Sequence, residues 1–124
     1  CLIVLAVVAV SFQSPKITGS TVDEIEADKA LNLDDFAKCL TQNNAKMYGA
    51  VWCTHCQNQK KMFGLSFQYV TYVECDNNGQ QAQICTSAGI KGYPTWDFNG
   101  NKVSGEQDLA SLSKNSGCSL DLIK

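Results

Sequence analysis

The sequence contains no arginine, and its ten lysines are outnumbered by twelve acids, which leaves a formal charge of −2 at pH 7. Such a chain has no basic field to hold a phosphate backbone, so nucleic acid is excluded as a partner. No internal repeat is present, and 124 residues leave room for one domain, since a core of ordinary size takes about 100 to 150 residues. No apolar run reaches the roughly 20 residues that a spanning helix needs. The longest is residues 1–12 (CLIVLAVVAVSF), which opens without an initiator methionine. It reads as the end of a membrane anchor or uncleaved signal, with a buried strand or helix, or a lipid-modified Cys1, as the alternatives. A second tight CxxC pair is also lacking, which disfavours a zinc ribbon built on Cys53, Cys56, Cys75 and Cys85.

What the chain does have is cysteine, seven in all. In so short a sequence that number means metal ligands or catalytic thiols inside the cytosol, or disulfides outside it. The apolar N-terminus favours the exported reading. Half of the acids (Asp23, Glu24, Glu26, Asp28, Asp34, Asp35) lie close together after Pro15 and Gly19, the composition of a solvated linker and a helix start. The expected division is a hydrophobic segment at 1–12, a linker at 13–30, a folded domain at 31–118 and a tail at 119–124.

Within the domain, Asp34 is the expected N-cap of a first helix that buries Phe36, Ala37 and Leu40 and ends at Asn43-Asn44. Residues 45–52 (AKMYGAVW) suit a buried central strand. Residues 53–63 then form a helix stopped by Gly64. Residues 69–75 (YVTYVEC) read as a strand, 76–79 (DNNG) as a turn, and 80–88 as a short helix. Residues 94–98 and 102–104 flank Asn99-Gly100, a hairpin signal. A last helix at 106–115 buries Leu109 and Leu112, with Gly117 as its cap. The expected fold class is α/β, a central mixed sheet of about four strands with helices on both faces.

Cys53-Thr54-His55-Cys56 follows a strand and opens a helix, a spacing at which two sulfurs can close a disulfide within one turn. The dipole and free amides at a helix N-terminus favour a thiolate there by up to about 2 kcal/mol. A protonated His55, lying between the two sulfurs in sequence, would push the same way. Cys53 is therefore the expected attacking sulfur and Cys56 the resolving one.

Trp52-Cys53-Thr54-His55-Cys56 followed by Gly92-Tyr93-Pro94-Thr95 resembles the thioredoxin superfamily, in which a cis proline packs beside the active-site disulfide. More narrowly, Ala45-Lys46-Met47-Tyr48-Gly49-Ala50, Tyr72-Val73-Glu74-Cys75, Gly92-Tyr93-Pro94-Thr95-Trp96 and Ser116-Gly117 are similar to the thioredoxin-like domain fused to bacterial and plant vitamin K epoxide reductase homologues. The likeness covers residues 33–118. It implies a thioredoxin-like fold and a cis Tyr93–Pro94 bond that presents the Tyr93 backbone to an extended substrate beside Cys53. Trp52 and Thr54 are implied to flank that substrate, Trp52 either shielding the sulfurs or merely packing.

With the ten-residue spacing, the resemblance also implies a structural disulfide between Cys75 and Cys85. Two features depart from the pattern. Met47 stands where reducing thioredoxins resemble one another in carrying a buried acid, and Cys39 and Cys118 are unexpected, whether they pair, stay free or reach a partner.

The function expected from all this is thiol–disulfide exchange on exported proteins, with no metal or organic cofactor beyond the redox-active cysteines. A vitamin K epoxide reductase-type membrane protein would reoxidise the pair, and the domain would face an extracytoplasmic compartment from a membrane tether. A reductase or isomerase using the same residues, or a module holding copper(I) or zinc between thiolates, are the alternatives.

Overall fold

A computed structural model describes residues 33–120. The expected hydrophobic segment, the linker, Cys1 and residues 121–124 of the tail lie outside the described residues.

The domain opens with α1 (Asp34–Gln42), whose apolar positions Phe36, Ala37 and Leu40 are buried. Leu33, not Asp34, is its N-cap and offers no side-chain cap. Asp34 falls in the first turn, where its carboxylate suits the positive end of the helix dipole and accepts the Ser66 hydroxyl at 2.6 Å. Ser66 in turn accepts the Leu33 N–H at 3.1 Å, so the cap is supplied from elsewhere in the chain. Strand β1 (Ala45–Gly49) is shorter than the pattern implied, because the chain must turn at 50–53 to start α2 (Thr54–Phe63).

A 3-10 helix (Gly64–Tyr69) follows and takes the first residue expected of the next strand, so β2 spans Thr71–Glu74. The expected turn at 76–79 is a small hairpin, β3 (Asp76–Asn77) with β4 (Gln80–Gln81). Its pairing delays the following helix, α3 (Gln83–Ser87). Strands β5 (Thr95–Phe98) and β6 (Asn101–Ser104) are joined at Asn99-Gly100, both with positive φ (52° and 99°), as a tight twisted hairpin requires. Last comes α4 (Leu109–Ser116), capped by Asp108, whose side chain accepts the Ser111 N–H, and closed by Gly117 in the left-handed conformation.

The main sheet has the order β2-β1-β5-β6, with β1 parallel to β2 and antiparallel to β5, and β5 antiparallel to β6. The parallel pair demands a crossover, which α2 and the 3-10 helix provide. Side chains alternate across a strand, and β1 uses both faces. Ala45 and Met47 join Trp96 and Phe98 of β5 in the main core with Leu40 of α1, Phe63 of α2 and Leu112 of α4. Tyr48 lies in a second cluster with Cys75, Ile90 and Cys85 of α3. Helices thus cover both sides of a four-stranded mixed sheet, and the fold is thioredoxin-like.

Two disulfides, Cys39–Cys118 and Cys75–Cys85, staple this frame. The first ties α1 to the segment after α4 across 79 residues, a closure that contributes up to about 4.5 kcal/mol on a chain-entropy model. The second closes 10 residues around the β3–β4 hairpin. Asn43 reinforces the first, its side-chain N–H donating to the Ser116 carbonyl at 2.9 Å.

One polar side chain is buried in the middle of the core. Gln59 of α2 is fully buried; its Oε1 accepts the Trp96 indole N–H at 3.1 Å and the Gln107 N–H at 2.7 Å, and its Nε2 donates to the Gln107 carbonyl at 2.9 Å. This anchoring of 107 is why the last helix starts at 109 rather than 106. Gln59→Leu strands the partners in an apolar site and is expected to cost about 3 kcal/mol, given 1 to 3 kcal/mol for each unsatisfied buried group. Urea denaturation measures it, and a loss within about 0.5 kcal/mol, as at an ordinary surface position, would contradict the assignment.

Candidate functional site

Cys53 sits at the N-cap of α2 in an extended conformation, and its sulfur takes the role that a Ser or Asp oxygen plays at most helix starts. Cys56 N–H donates to Cys53 Sγ at 3.4 Å, and the Cys53 N–H donates to the Ala50 carbonyl at 3.1 Å. Both cysteines are free thiols. They differ in access: Cys53 keeps a sliver of surface (7%), whereas Cys56, one turn in, has none. Burial pushes the Cys56 thiol up to about 12, helped by its hydrogen bond with Cys53. Near neutrality it therefore holds its proton.

The loop before β5 comes up beside the pair. The Tyr93–Pro94 bond is cis, Pro94 is fully buried, and Cys53 Sγ lies 3.6 Å from the Tyr93 carbonyl. Thr95 hydroxyl donates back to the Gly92 carbonyl at 2.7 Å and fixes the loop.

Trp52 is 63% exposed and does not bury over the sulfurs. Its indole N–H donates to Asp76 at 3.1 Å, and its ring meets Tyr93 edge-on with centroids 5.9 Å apart. With Val51, 62% exposed, it forms an apolar rim next to Cys53. Thr54 is exposed in the first turn of α2.

His55 is brought to the surface, and its Nδ1 lies 2.7 Å from Glu106 Oε1. Asn58 donates to the same oxygen at 3.2 Å, and the hydrogen bonds from His55 and Asn58 hold the Glu106 carboxyl below the usual range. Glu106 escaped the sequence reading because nothing local ties position 106 to position 55. Tyr72 and Glu74 also escaped as site residues, although both belong to the strand beside Cys56. The signal was Gly49: a methyl group there would lie 3.0 Å from Cys56 Sγ and 3.0 Å from the Tyr72 ring, so the position must stay empty.

Cys75 and Cys85, far from being available to a metal, bond to each other, which removes the ligands that the zinc alternative needed. Among the described residues no group of three or more His, Cys, Asp or Glu side chains is arranged to hold a metal ion. No helix among them is long and apolar enough to cross a membrane.

No protein-family model matches the chain. A curated protein of Arabidopsis thaliana named thiol-disulfide oxidoreductase LTO1 is 45% identical over 91 residues, which are 68% of this chain and 24% of that protein. The chain thus spans about a quarter of the length of the curated relative it matches.

The unequal access of the two sulfurs gives a direct expectation. In the reduced protein, iodoacetamide at neutral pH should modify Cys53 and leave Cys56, whose labelling should rise only as the pH climbs toward about 12. Peptide mapping reads the sites, and faster labelling at Cys56 would contradict the assignment of roles.

Proposed function

We propose that the domain is a protein thiol–disulfide oxidoreductase that works in the oxidising direction, passing a disulfide from Cys53 and Cys56 to exported proteins. The observation that carries the reading is the division of labour within the pair: one sulfur capping a helix and keeping a sliver of surface, the other fully buried behind it with its proton held. A substrate thiolate attacks Cys53 Sγ, the Cys53–Cys56 bond breaks, and its electron pair leaves on Cys56, which takes up a proton. A second substrate thiolate then attacks the substrate sulfur of this mixed disulfide and displaces Cys53. The substrate leaves with a new disulfide, and the pair retains two electrons.

Several features support the direction. Two further disulfides in the same domain suit an oxidising compartment, and residues 1–12 suit a tether at a membrane facing it. Met47, not an acid, stands on β1 six residues before Cys53, against a reductase of the thioredoxin kind. The curated relative's name states thiol–disulfide oxidoreductase activity for that protein. The electrons left on Cys53 and Cys56 would pass to a vitamin K epoxide reductase-type membrane partner, matching the resemblance of the motifs. Substrate proteins would dock an extended segment along the Tyr93 backbone and the Val51–Trp52 rim, with no metal or organic cofactor.

Equilibration with glutathione buffers tests the direction. The pair is expected to be less reducing than about −250 mV, the edge of the thioredoxin range, and to oxidise a dithiol peptide readily. A more negative potential together with efficient insulin reduction would overturn the oxidising direction in favour of a reductase.

A further inference from the structure

Exchange in either direction moves a proton on or off Cys56, and Cys56 has no surface through which to pass it. Met47 on β1 offers nothing, being apolar and fully buried. The neighbouring strand offers a polar chain. β2 runs parallel to β1 with Tyr72 opposite Met47 and Glu74 opposite Gly49. A methyl group on Gly49 would lie 3.0 Å from Cys56 Sγ and 3.2 Å from the Tyr72 hydroxyl, so sulfur and hydroxyl border the same gap that this glycine leaves open. The Tyr72 hydroxyl donates to Glu74 Oε2. Glu74 Oε1 accepts the Val51 N–H at 2.8 Å, and the residue is exposed. The phenol and the carboxylate thereby lead from the gap that the buried sulfur borders out to water.

We propose that Tyr72 and Glu74 form the proton route between Cys56 and solvent, a role that rests on Cys53 and Cys56 being an exchange pair. When Cys56 resolves a mixed disulfide, its proton passes to the Tyr72 oxygen, directly or through one water, as the phenolic proton passes to the Glu74 carboxylate. The electron pair on Cys56 Sγ forms the bond to Cys53 Sγ. The bond from Cys53 to the substrate sulfur breaks, and its electron pair leaves as the substrate thiolate. Cys56 is oxidised and the substrate sulfur reduced, so no other oxidant is involved. In the opposite direction Glu74 supplies the proton through Tyr72 as Cys56 departs.

The surroundings suit a relay. A thiol pushed up to about 12 by burial attacks and departs slowly unless a base or acid is placed for it. Burial and the Glu74 carboxylate also push the Tyr72 phenol up, so it stays protonated and passes protons without storing charge. The other charged or titratable groups facing the site are Cys53 and Lys60 from α2, with the Lys60 ammonium 3.9 Å above the Tyr72 ring. Tyr93 and Asp76 also face it: burial, then Asp76, Cys56 and Glu74, push the Tyr93 phenol up.

Reaction of the reduced protein with dithionitrobenzoate separates the two steps, because attack by Cys53 releases one thionitrobenzoate and resolution by Cys56 releases a second. In Tyr72→Phe and Glu74→Gln the second release is expected to slow on the order of a hundredfold at neutral pH, the low end of positioned acid–base catalysis. That deficit should narrow as pH rises and hydroxide takes the proton, while the first release keeps its speed. A second release at wild-type speed in both variants overturns the route, as does an equal slowing of both releases at every pH, which marks a disturbed site. No second release from the wild type overturns instead the reading of Cys53 and Cys56 as an exchange pair.

Discussion

Cys53 Sγ accepts the Cys56 N–H at 3.4 Å, and most of the site follows from this one contact. A sulfur at a helix N-cap satisfies an amide that would otherwise lack a partner, so the helix can start at Thr54 without another capping side chain. The same placement leaves Cys53 a sliver of surface and carries Cys56 under it, against β1. Two chemically identical thiols thus acquire different access through position alone, and burial pushes the inner one, Cys56, up. A residue without a side chain at 49 is then required, because any Cβ there would press on Cys56 and Tyr72.

The frame keeps this contact in register. β1 delivers the chain to the turn at 50–53, β2 sets Tyr72 and Glu74 alongside, and Gln59 locks α2 to Trp96 and Gln107. Phe63 packs between Phe36 and Trp96, with centroids 6.2 and 6.3 Å away, which seats the far end of α2 in the core. The two structural bridges join other parts of the chain: one ties α1 to the segment after α4, the other encloses the β3–β4 hairpin.

Much of this was legible in the residues. The CxxC pair at a strand-to-helix junction, the Asn99-Gly100 hairpin and the Gly117 cap each depend on local chemistry, and each stands where that chemistry puts it. Asn78-Gly79 carried the same hairpin signal as Asn99-Gly100, with φ of 53° and 82°, but strands of two residues show no alternation by which to recognise them. Asp34 is a good cap by composition, yet a distant serine caps α1 through Leu33. The pairing of Cys39 with Cys118, the His55–Glu106 contact and the Tyr72–Glu74 link beside Cys56 are tertiary. The first two arise from packing that no window of sequence contains; Tyr72 and Glu74 are near neighbours on one strand, and only their placement beside Cys56 comes from sheet order.

The most direct test of the division between the two sulfurs is the trapping of a substrate. Cys56→Ser, presented in reduced form with a disulfide-bonded peptide, should accumulate a mixed disulfide that mass spectrometry maps to Cys53, and Cys53→Ser should accumulate none. An adduct that forms in Cys53→Ser at Cys56, or that maps in either variant to Cys39, Cys75, Cys85 or Cys118, would contradict it.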